Sequence, residues 1–291
     1  MKKAMIWFLL FTMFLFSSQA IAAPPCTEET LLENWCDHMI DQSTECSVTT
    51  AFPKSIMASD AYISQRDALF SAAQSMVQLG LETPASLSKQ YSAQCAFTFA
   101  ELYDLYVRRI DLCVWQNGRR LNLYSIQVDA ASGQLFSIRS FGSFYAYDPN
   151  YDYDVPKLPE QYWEQAPSMD TLLDYWDTLY SESPMYSPEI QRREAQGYPL
   201  PGPDDMTQRT ALRIAAQMAI ALSKRDINTF YGYIPRVEFD VSPAASTWFI
   251  TLLNGAGDVA PCESFSFTLN AKTQTLESLI WRNEKSVCNP S

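Results

Sequence analysis

Residues 64–77 read SQRDALFSAAQSMV and residues 207–220 read TQRTALRIAAQMAI, so one segment returns 143 positions later with seven of 14 residues identical. Self-similarity at a fixed spacing constrains a fold more than composition does, because each copy should form the same supersecondary unit. Ser64 and Thr207 are helix N-caps by type, since a hydroxyl there accepts an orphan backbone N–H of the first turn. Leu69, Ala72, Ala73 and Met76 recur at helical spacing, as do Leu212, Ala215, Ala216 and Ala219. Each set is one apolar stripe, and its alanines permit close approach to a second layer.

A second match lies downstream, YSIQVDAASGQLFSI at 124–138 and FSFTLNAKTQTLESL at 265–279, offset by 141. Tyr124, Ile126 and Val128 alternate with polar residues, and so do Phe265, Phe267 and Leu269. Period two implies a strand with one buried face. A turn and another short strand follow in both copies, at 134–138 and 275–280. Gly133 suits positive φ at the first turn, and Gln274 in its place predicts a looser second turn. Further strands are expected at Arg109–Trp115 before Asn117-Gly118, and at Thr247–Leu253 before Asn254-Gly255, because Asn-Gly favours a hairpin turn. The predicted class is α+β: two similar units, each a helix packed on a small antiparallel sheet, at 61–140 and 204–291.

The segment from Tyr124 through Asp129-Ala130 to Gly133-Gln134-Leu135, behind an alanine-striped helix, resembles the PepSY-like domain family. The approach 200–207, running into Ala211-Leu212-Arg213-Ile214-Ala215, is similar to unit starts in secreted bacterial proteins carrying several such repeats. The resemblance spans residues 60–140 and 200–283, and departs from the family pattern at Asn270 and Gln274. It implies a non-catalytic protein that binds or inhibits a peptidase or an envelope protein, and it transfers no functional residue.

The first 22 residues have the composition of a secretory signal. Lys2 and Lys3 precede an apolar run from Ala4 to Phe16, and Ala20-Ile21-Ala22 supplies a small-residue cleavage site. The run is short against the roughly 20 residues of a membrane-spanning helix, so no stable membrane insertion is expected after cleavage. Loss of the two lysines takes the formal net charge from −12 to −14. Such acidity repels phosphate backbones and argues against a nucleic-acid partner. Localisation is expected to be secreted or extracytoplasmic, where cysteines pair. Seven cysteines are present and none is in a CxxC. Local pairing would join Cys36 to Cys46, Cys95 to Cys113 and Cys262 to Cys288, leaving Cys26. Connectivity is not fixed by sequence.

Residues 23–60 hold a helix candidate, Glu28–Ile40, expected to cap the first unit, followed by a cysteine-bearing stretch. The connecting segment, 141–203, differs in composition. Thirteen of the 58 residues from Phe141 to Tyr198 are aromatic, too many for a disordered linker. A helix is expected at Met169–Tyr180. Asp148, Asn150, Asp152 and Asp154 place oxygens at alternate positions and form a weak calcium candidate, but Tyr153 and Pro159 stand where an EF-hand needs Gly and Glu. Tyr151, Tyr153, Tyr162 and Trp163 could form a stacking surface for a glycan or peptide, or pack as core between the units.

Chemistry has little to stand on. The single histidine, His38, lies two residues from Cys36 on the expected helix, where side chains point apart. No GxSxG, P-loop or GxGxxG occurs. No cofactor is expected. The leading expectation is a non-enzymatic binding protein with a protein partner. The alternatives are a glycan- or cell-wall-binding module using the aromatic segment, and a carboxylate-based hydrolase.

Overall fold

A computed structural model describes residues 27–42, 61–141, 157–164, 166–180, 197, 199–242, 245–254 and 263–283. The leader, Cys26, Cys46, Cys262, Cys288, the 148–154 acidic loop with Tyr151 and Tyr153, and Gly255 lie outside the described residues. Helices α1 (Glu28–Gln42), α2 (Gln65–Gln78) and α3 (Pro84–Gln90) precede strands β1 (Ser92–Ala100), β2 (Leu105–Gln116), β3 (Arg119–Asp129) and β4 (Leu135–Ser140). Helices α4 (Pro167–Tyr180) and α5 (Gln208–Ser223) precede β5 (Tyr233–Val241), β6 (Ser246–Asn254), β7 (Glu263–Asn270) and β8 (Thr275–Asn283). Among the described residues the strands form one antiparallel sheet of eight, ordered β1-β2-β3-β4-β8-β7-β6-β5.

The helix starts follow their caps. Ser64 accepts from the Asp67 N–H and Thr207 from the Thr210 N–H. Both alanine stripes are sealed: Leu69, Ala72, Ala73, Met76, Leu212, Ala215, Ala216 and Ala219 are buried. Helix α2 lies on β2, β3 and β4, and α5 lies on β6 and β7. Helix α1 packs behind α2 and α3, and α4 packs behind α5 and a 3₁₀ segment, Ile227–Gly232. Small residues at the helix–sheet contact let large ones fill the rest, with Trp176, Trp248, Phe230 and Phe265 wholly buried.

The two outer helices are tied down alike. Arg66 of α2 bonds Asp37 of α1, while Arg209 of α5 bonds Asp174 and Asp177 of α4 at 2.7 Å each. Arg66 and Arg209 occupy the same place in the repeated helix. The helices they hold also match: Thr30-Leu31-Leu32-Glu33-Asn34-Trp35 in α1 and Thr171-Leu172-Leu173-Asp174-Tyr175-Trp176 in α4, again 141 apart. Contacts between the two halves join counterpart residues. In the helix layer, the Gln78 amide donates to the Ala221 carbonyl, 143 positions on. In the sheet, Ile138 faces Leu279, 141 positions on, flanked by Ser137 opposite Ile280 and Arg139 opposite Ser278.

Two expectations are corrected. The Cys95–Cys113 pairing fails on register: Cys95 faces Ile110 and Cys113 faces Ser92, three positions apart along the ladder. An odd offset puts the side chains on opposite faces of the sheet, so no disulfide can span them, and both thiols are free. The turn at Gln274 is not looser. Gln274 takes φ +60° against +74° for Gly133, and its N–H bonds the Asn270 carbonyl at 3.0 Å as Gly133 bonds Asp129 at 2.9 Å. Asn270 Oδ1 accepts two backbone N–H groups within this turn, as Asp129 Oδ1 does in the other. That side-chain support holds a non-glycine residue in the left-handed region.

Candidate functional surface

Alternation divides the sheet into two unlike faces. Ile110, Leu112, Val114, Trp248, Ile250 and Leu252 turn toward the helices and are buried. Their neighbours in sequence turn away, and among the described residues no α-helix packs on that outer face. Its middle is lined by small polar groups. Ser125 donates to Asp111 at 2.7 Å, Ser137 to Gln127 at 3.0 Å and Ser278 to Thr268 at 2.8 Å. Two large apolar side chains stand on the same face, five strands apart: Trp115, opposite Arg120 near the β2–β3 turn, is 68% exposed, and Phe249, opposite Thr268 on β6, is 43% exposed. Each is flanked by core residues of its own strand (Val114 for Trp115, Trp248 and Ile250 for Phe249), so the strand phase itself turns them outward. Singly exposed hydrophobics are ordinary on a protein surface; aromatics are also the side chains enriched where protein surfaces meet.

A cleft of 220 Å³ opens where β4 meets β8. Leu105, Leu135 and Phe136 supply apolar lining, and Gln134 and Asn283 supply amides. Tyr103, in the 3₁₀ turn Glu101–Tyr103, stands edge-on to Phe136 at 4.9 Å. The Arg282 guanidinium lies 4.4 Å over the Tyr103 ring. Arg282 is exposed, and among the described residues no carboxylate pairs with it. Asp129 also lines the cleft, but its carboxylate is engaged by the Ala131 N–H and the Ser132 hydroxyl at 2.8 Å each.

A buried polar cluster lies on the helix side. Glu263 is 2% exposed and accepts from Arg225, the Tyr233 hydroxyl and the Trp281 indole, the last at 2.8 Å. Burial raises the Tyr233 phenol above its ordinary value, and the Glu263 charge raises it further. With a guanidinium and two neutral donors, this carboxylate is satisfied, and one of those donors, Trp281, also lines the cleft. The cluster is structural.

The residues singled out from sequence divide as follows. Tyr162 is buried and donates its hydroxyl to the Leu79 carbonyl at 3.0 Å, and burial pushes it up to about 12. Trp163 is half-buried against the core and bonds Leu158 at 3.5 Å. These two are packing, not a stacking surface. Cys36 is buried while His38 on the same helix is exposed, so no dyad forms. Burial raises the Cys36 thiol to about 12 and the Cys95 thiol to about 11. Among the described residues no group of three or more metal-binding side chains gathers, and no helix is long and apolar enough to cross a membrane.

Sequence reasoning missed Trp115, Phe249, Tyr103 and Arg282. The first two carry a readable signal, a large aromatic on the polar phase of a strand. Tyr103 and Arg282 carry none, since long-range strand pairing brings them together across 179 positions. No family model, no curated protein and no solved structure matches the chain.

Proposed function

We propose that this chain is an exported, non-enzymatic binding protein whose working surface is the outer face of the sheet. The observation that carries this reading is the asymmetry of that sheet: helices on one face, and Trp115 and Phe249 exposed on the other. A partner's surface that covers those two rings buries apolar area at about 25 cal/mol per Å². The signal-like leader supports a site of action outside the cytoplasm.

The chain is, on this reading, two copies of one unit, set 141 residues apart, each an outer helix, an alanine-striped helix and four strands. The shared Thr-Leu-Leu-acid-x-Trp helices, the equivalent arginines, and the counterpart contacts Gln78–Ala221 and Ile138–Leu279 support it. Residues that meet their own counterparts in both layers are what a twofold relation between copies produces. The copies join by their last strands into one platform, and among the described residues no nucleophile is brought to a base. The partner class is a peptidase or an envelope protein, as the PepSY-like resemblance implies.

Oxidised mature protein, residues 23–291, serves as bait for the producing cell's secreted and envelope fraction. The expected result is capture of a peptidase or envelope protein, with loss of activity where the captured protein is a peptidase. Hydrolase activity of the purified bait itself, abolished by a carboxylate substitution, would sink the proposal.

A further inference from the structure

We infer that the cleft between β4 and β8 binds the C-terminal residue of a partner polypeptide, with Arg282 taking the terminal carboxylate and the apolar lining taking the last side chain. The inference deepens the binding-protein reading and rests on it.

Arg282 is positioned without being neutralised. Its guanidinium sits 4.4 Å above Tyr103, whose ring is braced by Phe136. A cation over an aromatic face is held in place, yet its N–H donors stay free in the plane of the fork. Among the described residues Arg66, Arg109, Arg209, Arg213 and Arg225 each face a carboxylate, while Arg139, Arg236 and Arg282 do not. Arg282 lines a cleft. The acid among its lining residues, Asp129, is spent on its own turn. A preset, unmatched guanidinium calls for an anion with two oxygens, and a carboxylate fits the fork.

The lining and the volume choose the source of that carboxylate. Pockets for drug-sized ligands run to about 300–1,000 Å³, and 220 Å³ falls below that range. It suits one side chain. Leu105, Leu135 and Phe136 ask for an apolar one. Within a polypeptide, an apolar side chain and a carboxylate on the same residue occur only at the C-terminus. An internal Asp or Glu would carry its carboxylate on the side chain and leave the apolar floor to a neighbour. The amides of Gln134 and Asn283 at the rim match the last peptide group.

The test titrates the mature chain with N-acetyl-leucyl-phenylalanine, followed by tryptophan fluorescence, since Trp281 lines the cleft. Three comparisons accompany it: the same dipeptide as its C-terminal amide, the internal-acid peptide N-acetyl-glutamyl-phenylalanine amide, and the Arg282→Ala and Arg282→Lys variants. Arg139→Ala, an exposed arginine outside the cleft, is the control. Saturable binding of the free acid is expected, weakened tenfold or more by amidation and by Arg282→Ala, less by Arg282→Lys, and unchanged by Arg139→Ala. Absence of saturation up to about 10 mM, a binding free energy under roughly 3 kcal/mol, would overturn the inference. So would equal binding of the amide, equal binding of the internal acid, or insensitivity to Arg282→Ala in a variant with unchanged melting temperature. The titration needs no partner protein, so its failure and a failed capture are separate results.

Discussion

At the residue scale, Glu263 shows how a charge is kept inside this molecule. It is a buried carboxylate with three donors, one of them cationic. Removing Glu263 leaves the Tyr233 O–H buried and without its acceptor, while Arg225, one-third exposed, keeps access to water. Glu263→Ala is therefore expected to lower unfolding free energy by about 1–3 kcal/mol, read as a shift in the urea midpoint. A midpoint within error of wild type would show that the cluster is not stabilising. The thiols make a second prediction, about pH. Cys36 and Cys95 rise from an ordinary 9.0 to about 12 and about 11 because burial penalises the thiolate. A raised folded-state value means the folded chain keeps its proton while the unfolded chain loses it. Stability from these groups is full below pH 9 and is lost as pH rises from 9 toward 12. The urea midpoint should fall between about pH 8 and about pH 10.5, and fall less in a Cys36→Ala, Cys95→Ala double variant. Equal falls in both proteins would count against the buried-thiol account.

At the element scale, the repeated helix and the middle strands were readable because each has a strong period: alanine stripes at helical spacing, and alternation in β3 and β7. The outer helices are readable as helices, and their kinship is legible too, since Thr-Leu-Leu-acid-x-Trp stands at the same offset as the strand match. Strand β1 escaped because Ser92–Ala100 contains no charge, and its weak alternation sets Ala93, Cys95, Phe97 and Phe99 against small or polar neighbours. Strand β5 hides behind Pro235, which strand patterns disfavour except at sheet edges, and β5 is an edge. The Cys95–Cys113 pairing failed for a related reason: without β1 there is no register, and register decides which face a cysteine takes. The alanine stripe yields its own prediction. Ala216 is wholly buried, so Ala216→Leu overpacks the helix contact and should cost about 1–3 kcal/mol. Thermal unfolding checks it, and a variant as stable as wild type would mean that α5 has slack against the sheet.

At the scale of the whole molecule, the sheet order β1-β2-β3-β4-β8-β7-β6-β5 joins two meanders by their last strands and yields one broad platform. The mixed helix-and-sheet class and several strands of each meander could be read from the sequence; their joining into one sheet could not, because nothing in Leu135–Ser140 or Thr275–Asn283 announces that each is the other's partner. The cleft depends on that joining, so it too was beyond sequence reading. The central claim is that the outer face of this platform binds a protein, and two exposed aromatics allow it to be tested without disturbing the core. The measurement is capture by a Trp115→Glu, Phe249→Glu variant of mature protein, beside wild type at equal concentration. Both side chains are exposed, so melting temperature should hold to within what about 0.5 kcal/mol per surface change allows. The account predicts that the captured partner is lost while the fold is kept. Undiminished capture by a folded variant would contradict it.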